Sequence, residues 1–150
     1  MIRTSMLCSL IAATTLSLTA SADPSIAQKQ KRKTWQEQID SHSKSANDRC
    51  GASIAVTVEW EGFEAAMQTA GEQAIGMFCG DPIEAVAGVC QVGGDDAKAA
   101  VKQKIHKYVC RYGGEGKRSI DVSSGTFTFT VDLKKGSNIV DIRNDLMKKL

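Results

Sequence analysis

The sequence has no excess of charge that would indicate a nucleic-acid partner. It contains 19 Lys and Arg against 17 Asp and Glu, for a formal net charge of +2 at pH 7. A domain that binds a polyanion through its overall charge carries a clear basic excess. The chain also lacks the composition of a disordered segment, because 42% of its residues are hydrophobic and 24% are charged. We therefore expect a folded globular domain that does not bind nucleic acid.

The sequence also lacks the short motifs of several catalytic and cofactor-binding folds. It has no nucleophile elbow, no metalloprotease helix motif and no phosphate-binding loop. It shows no strand–helix–strand repetition, which argues against a doubly wound nucleotide-binding sheet. Its cysteines form no C-x-x-C pair, which argues against a zinc site. We predict no catalytic residue, no cofactor and no metal.

The N-terminus has the organisation of a cleavable export signal. Arg3 gives the positive start, Met6–Leu18 is apolar but rich in hydroxyls, and Ala20-Ser21-Ala22 is a small-x-small cleavage site. The apolar stretch is shorter than the roughly 20 residues of a membrane-spanning helix. We expect a periplasmic or extracellular protein with no stable membrane insertion after signal removal. The predicted divisions are 1–22 for the signal peptide and 23–150 for a single domain with a frayed basic start (23–34).

Removal of the signal with Cys8 leaves an even number of cysteines. They are Cys50, Cys79, Cys90 and Cys110. An even number of cysteines in an exported protein predicts a disulfide framework, here of two bonds, and four cysteines allow three pairings.

Helix geometry selects among these pairings. Asp81-Pro82 is typical of a helix start, so Cys79 and Cys90 should lie at opposite ends of one short helix. A second helix, predicted over Asp95–Cys110, separates Cys90 from Cys110 by roughly 20 Å. Both distances exceed the Cα–Cα separation that a disulfide tolerates. The remaining pairing is Cys50–Cys90 with Cys79–Cys110.

Hydrophobic residues at helical spacing predict four to five helices. The first runs over about 26–50, and a second, over about 63–78, is interrupted by glycines. The helix Asp95–Cys110 has acids at its start and basic residues at its end, which suits the helix dipole. The remaining predicted helices are Pro82–Cys90 and a C-terminal helix capped near Asn138.

Alternating apolar and polar residues predict three strands. They lie at Ser53–Trp60, at about 119–122 and at about 126–133, with Ser123-Ser124-Gly125 as a hairpin connection. The predicted fold class is α+β: a small three-stranded, mostly antiparallel sheet packed against four to five helices, with two disulfides.

A basic exterior on the predicted helix Asp95–Cys110 is a candidate interaction surface. It consists of Lys98, Lys102, Lys104, Lys107 and Arg111. These residues form either a solvated helix face or a surface for an acidic partner. The favoured hypothesis is a non-catalytic binding or interaction module that presents a rigid surface to an unknown protein or envelope component.

A small envelope hydrolase is the alternative. Acids beside aromatic side chains are typical of glycosidase acid pairs, and Glu61 and Glu64 lie beside Trp60. The hydrolase would use Glu61 or Glu64 with His42 or His106. It requires that at least two of these side chains converge in one cleft.

Overall fold

The computed structural model describes residues 25–70 and 75–150, so the predicted signal peptide lies outside the described residues. The first helix, α1, spans Ile26–Cys50 and begins with a capping box in which Ser25 and Gln28 each bond the other's backbone N–H. The basic run expected in a frayed start lies within the first turns of α1. Gly51 ends the helix in the left-handed conformation, with φ of 58°.

Seven further elements follow α1 along the chain. They are β1 (Ala55–Val58), α2 (Trp60–Ala70), α3 (Ile75–Lys104), β2 (Lys107–Tyr112), β3 (Ser119–Ser123), β4 (Thr126–Val131) and α4 (Ile139–Lys149). The described residues thus form four helices and four strands, which confirms the α+β class.

The sheet is mixed and has the strand order β1-β2-β4-β3. Strand β1 pairs parallel with β2, and β2 pairs parallel with β4; only β3 is antiparallel to its neighbour β4. The prediction of three mostly antiparallel strands is therefore wrong in detail. It missed β2, which lies between β1 and β4 and provides both parallel pairings.

Strand β2 occupies the end of the segment predicted as the helix Asp95–Cys110. The helical spacing of Val101, Ile105 and Tyr108 fits a helix, but Tyr108, Cys110 and Tyr112 also alternate as in a strand. In the structure α3 ends at Lys104, and β2 forms hydrogen-bonded ladders on both sides. The pairing with two distant strands outweighs the local helical pattern.

Helix α3 is longer than predicted at its N-terminal end. It continues through Asp81-Pro82, which was expected to begin a helix, and the expected loop at Gln91–Gly94 is reduced to a kink. Gly94 forms the kink with φ of 61° and ψ of −146°. Glycine adopts this conformation readily, whereas residues with a side chain rarely do. Among the described helices, α3 is long and apolar enough to cross a membrane by length and composition, but 67% of its most apolar window is buried inside the fold.

Both disulfides attach α3 to its neighbours. Cys50–Cys90 joins α1 to α3, and Cys79–Cys110 joins α3 to β2, with Cα–Cα distances of 5.3 and 5.6 Å. This is the pairing that the sequence predicts. One argument for it is wrong, because the helix expected to separate Cys90 from Cys110 ends at Lys104, and Cys110 lies in β2.

The helices cover one face of the sheet. Tyr108, Phe127 and Phe129 point to this face and are at most 1% exposed. In the described part of the chain no element covers the opposite face, where Thr57, Lys107 and other polar side chains are exposed. The sheet therefore has one face packed against helices and one open, polar face, and α1 packs on α3.

Candidate functional site

The basic residues predicted as one helix face are divided between two elements. Lys98, Lys102 and Lys104 lie on α3, but Lys107 and Arg111 lie on β2 and point to the open sheet face. The side chain of Arg111 donates from Nε to Thr130 Oγ1 at 3.2 Å. The prediction of a single basic helix surface is therefore wrong, because the helix that would carry it ends at Lys104.

Lys98 already has an acidic partner on the same helix. Its Nζ lies 3.0 Å from Asp95 Oδ1, and this hydrogen bond and charge lower the pKa of Asp95. Exposed pairs of this kind contribute little to stability. Lys98 therefore belongs to the solvated exterior of α3.

The glutamates of the hydrolase hypothesis lie beside an aromatic cluster at the C-terminal end of β1. Glu64 forms an ion pair with Arg32, and Glu61 is exposed in the first turn of α2. The rings of Trp35 and Trp60 stack with centroids 6.2 Å apart, and the Arg32 guanidinium lies 6.0 Å from the Trp60 ring. The arrangement packs α1 against the start of α2.

The two histidines lie away from these glutamates. His42 Nδ1 is 3.4 Å from Glu84 Oε2, and ten residues along α1, about 15 Å, separate His42 from the Arg32 that holds Glu64. His106 precedes the N-terminal end of β2, whereas Glu61 follows the C-terminal end of the parallel strand β1. Among the described residues, neither glutamate therefore shares a cleft with a histidine.

A groove between β3 and α4 collects the cations of four separate segments. Two adjoining depressions of about 520 and 410 Å³ form it, and Lys149 lines both. Ile120 and Val122 of β3 also line it and are half-buried. We name this feature the basic groove, after its charged lining residues Lys104, Arg118, Lys135, Lys148, Lys149 and the single carboxylate Asp145.

The basic groove concentrates positive charge on a chain that is nearly neutral. Its five cations and one carboxylate sum to +4, while the whole chain has a formal net charge of +2. The remaining residues therefore sum to −2. Such local concentration favours acidic groups even without an overall basic charge.

Arg118 enters the groove from a loop that Asp132 holds in place. The buried Asp132 carboxylate accepts hydrogen bonds from the backbone N–H of Lys134 at 3.0 Å and of Gly116 at 2.8 Å. These donors lower the pKa of Asp132. The Arg118 guanidinium lies 5.8 Å from the Phe129 ring, and within the described part of the chain its buried Nε and Nη2 make no hydrogen bond.

The C-terminal end of α4 forms the opposite side of the groove. Lys104 Nζ donates to the backbone oxygens of Lys149, at 3.4 Å, and of Leu150, which joins the end of α3 to the end of α4. Lys148 pairs with Asp145 at 3.2 Å. Among residues 25–70 and 75–150, Lys149 has no acidic partner, so its charge is available to a ligand.

Comparison with family models, curated proteins and solved structures gives no match. The function of the site is therefore inferred from its own residues. Within the described ranges, no group of three His, Cys, Asp or Glu could hold a metal ion. Of the groove cations, only Lys104 belongs to the predicted interaction surface, because the others come from two loops and from α4.

Proposed function

We propose that the mature chain is an exported, non-catalytic binding module that docks a protein or envelope component in the basic groove. The observation that carries the proposal is the convergence of five cations around the half-buried Ile120 and Val122. Apolar contact supplies affinity in such a groove, and the surrounding charges select the partner and its orientation.

Two observations support the export of this module. Residues 1–22 have the pattern of a cleavable signal. Both disulfides are buried between secondary-structure elements, and bonds of this kind persist in oxidising compartments. A periplasmic or extracellular location accounts for both.

The separation of the acidic and histidine side chains favours binding over hydrolysis. A hydrolase needs an acid or nucleophile and a base within reach of one substrate atom. Glu64 is paired with Arg32, and His42 is next to Glu84. These contacts have a simpler role in packing α1 against α2 and α3.

Affinity capture from a periplasmic or secreted extract tests the proposed function. The wild-type protein is compared with Lys148→Gln/Lys149→Gln in the groove and with a matched control, Lys29→Gln/Lys44→Gln, on the exposed side of α1. We expect a partner that the wild type and the control retain and the groove variant loses. Equal capture by all three proteins would overturn the groove as the docking site.

A further inference from the structure

We infer that the partner contributes an acidic peptide in extended conformation, which adds a strand to the free edge of β3. The inference rests on the proposed docking function and specifies the chemistry of the docked segment. It combines two observations, namely the hydrogen-bonding groups on the outer edge of β3 and the charge of the groove walls. Strand addition supplies affinity through the main chain and specificity through alternate side chains.

The hairpin register shows which backbone groups face outward. Ser123 pairs with Thr126 across the two-residue turn, so this pair, Asp121–Thr128 and Ser119–Thr130 exchange the ladder hydrogen bonds. Ile120 and Val122 lie in the alternate, non-hydrogen-bonded pairs. Their N–H and C=O groups therefore point away from β4, and in the described part of the chain no strand lies on that side.

These outward groups recur along the edge as they do in any unpaired strand. An edge of this type is a template for a further chain, and proteins often protect it with lysine. Lys149 lines both depressions beside this edge, with Arg118 and Lys135 near one end and Lys104 near the other. The cations repel a basic strand, whereas an acidic strand neutralises their charge.

The edge also distinguishes a peptide from other polyanions. The backbone N–H and C=O groups of Ile120 and Val122 match the complementary groups of a second peptide chain. A nucleic acid or an anionic lipid surface would use the cations but leave these groups unpaired. Alternate side chains of an added strand point to the two sheet faces, so the acidic set can lie on the helix-covered face, toward the cations that line the groove beside Ile120 and Val122.

Peptide binding gives the first test. The probe is a short fluorescent peptide that alternates Glu and Val, and fluorescence anisotropy measures its binding to the intact protein. We expect the affinity to fall by roughly tenfold when Lys replaces Glu in the peptide, or when Lys148→Gln/Lys149→Gln is used as the protein. The Lys29→Gln/Lys44→Gln control should bind as the wild type does.

A proline substitution separates backbone pairing from charge. Val122→Pro removes one outward N–H but no ladder hydrogen bond, and proline is tolerated at such an edge position. We expect it to weaken peptide binding by roughly tenfold while the disulfide-bonded fold is retained. Val122→Ala, which keeps the N–H, serves as the matched control and should weaken binding less than Val122→Pro. Equal effects of the two substitutions would overturn strand addition.

Amide hydrogen exchange locates the bound strand. Saturation with the acidic peptide should slow exchange at the N–H groups of Ile120 and Val122 by at least about tenfold, because each gains an acceptor. Binding without this protection would overturn strand addition, whereas groove-dependent capture of a partner would still support the proposed function. Equal competition by an oligonucleotide or by anionic vesicles would overturn the peptide specificity.

Discussion

The Tyr108 hydroxyl donates a hydrogen bond to the backbone carbonyl of Cys79 at 2.8 Å, while the Cys79 sulfur is bonded to Cys110. Tyr108 and Cys110 are alternate residues of β2 on the same buried face of the sheet. Strand β2 therefore holds one turn of α3 by a covalent bond and by a hydrogen bond. This double attachment fixes the central strand against the longest helix.

Removal of the hydrogen bond should destabilise the protein without disturbing the disulfide. Tyr108→Phe leaves the ring in place but removes the donor, and we expect the free energy of unfolding to fall by about 1 kcal/mol. Urea denaturation measures the change. Tyr112→Phe is the matched control, because Tyr112 is half-exposed on the same strand. Equal losses in the two variants would contradict a specific role for the Tyr108–Cys79 bond.

The same substitution should change the response to alkaline pH. Burial, with a smaller contribution from the Asp81 charge, raises the pKa of Tyr108 well above its ordinary value. The unfolded tyrosine ionises near pH 10, so the folded state loses stability as the pH rises above about 10. We expect Tyr108→Phe to remove this loss. The wild type should be the more stable protein near neutral pH, and its advantage in free energy of unfolding should shrink and then reverse as the pH rises above about 10. If the free energies of unfolding of wild type and Tyr108→Phe changed in parallel with pH, Tyr108 would not be the group that causes the loss.

Both disulfides should contribute to stability. The bonded residues are 40 and 31 positions apart, and closing loops of this size stabilises a fold by roughly 2–4 kcal/mol per bond, mainly by restricting the unfolded chain. We expect reduction to lower the melting temperature sharply without abolishing folding, because the apolar core remains. Peptide mapping without reductant, followed by thermal melts, tests this. Free thiols at the four positions, or equal melts, would contradict it.

Gly113 lies against the methyl group of Thr130. A Cβ at position 113 would come within 2.2 Å of Thr130 Cγ2 and 3.2 Å of the Lys117 carbonyl oxygen. Gly113→Ala should therefore lower the free energy of unfolding by about 1–3 kcal/mol, the usual effect of overpacking. Thr130→Ser removes the methyl group but keeps the acceptor for Arg111, so it should recover part of the loss in the double variant. If the changes in free energy of unfolding of Gly113→Ala and Thr130→Ser simply added in the double variant, this contact would be contradicted.

Asp132 should stabilise the loop before β3 only in its ionised form. Its pKa is lowered by the backbone N–H of Lys134 and, after the opposing effect of burial, by that of Gly116. A lowered pKa contributes stability above the unfolded value of about 3.9 and loses it as the pH falls through the folded value. Asp132→Asn should therefore lower the melting temperature at neutral pH and have less effect near pH 3.

An exposed aspartate provides the control for this pH dependence. Asp48→Asn on α1 changes the same charge on a solvated surface. We expect its melting temperature to follow the wild type across the same pH range. If the melting temperatures of wild type and Asp132→Asn differed by the same amount from neutral to acidic pH, the carboxylate charge would have no part in holding the loop.

The spacing of apolar residues predicted the elements whose buried side can be recognised within a short segment of sequence. The helical spacing of Ile39, Ala46 and Cys50 places them on the buried side of α1, and the alternation of Phe127 and Phe129 places them on the buried face of β4. The distance limits of disulfide geometry selected the observed pairing, although the helix expected between Cys90 and Cys110 ends at Lys104. Each of these inferences needed only neighbouring residues or a simple length argument.

The missed features depend on contacts between distant segments. The window around Ile105 and Tyr108 fits both helix and strand, and only pairing with β1 and β4 selects the strand. The basic groove likewise requires that Arg118, Lys135 and Lys149 meet, although they come from two loops and a helix. No local spacing relates these residues, so the sequence pattern predicted an interaction surface on the helix Asp95–Cys110 instead.

Site-specific photo-crosslinking in cells that produce the protein tests the docking site most directly. A photoreactive amino acid replaces Ser119 or Ser123, which line the basic groove, or Lys44 on the exposed side of α1. We predict one common adduct from both groove positions, none from Lys44, and its loss in the Lys148→Gln/Lys149→Gln background. Adducts of equal yield at Lys44, or none at the two groove positions, would contradict a binding function of this groove.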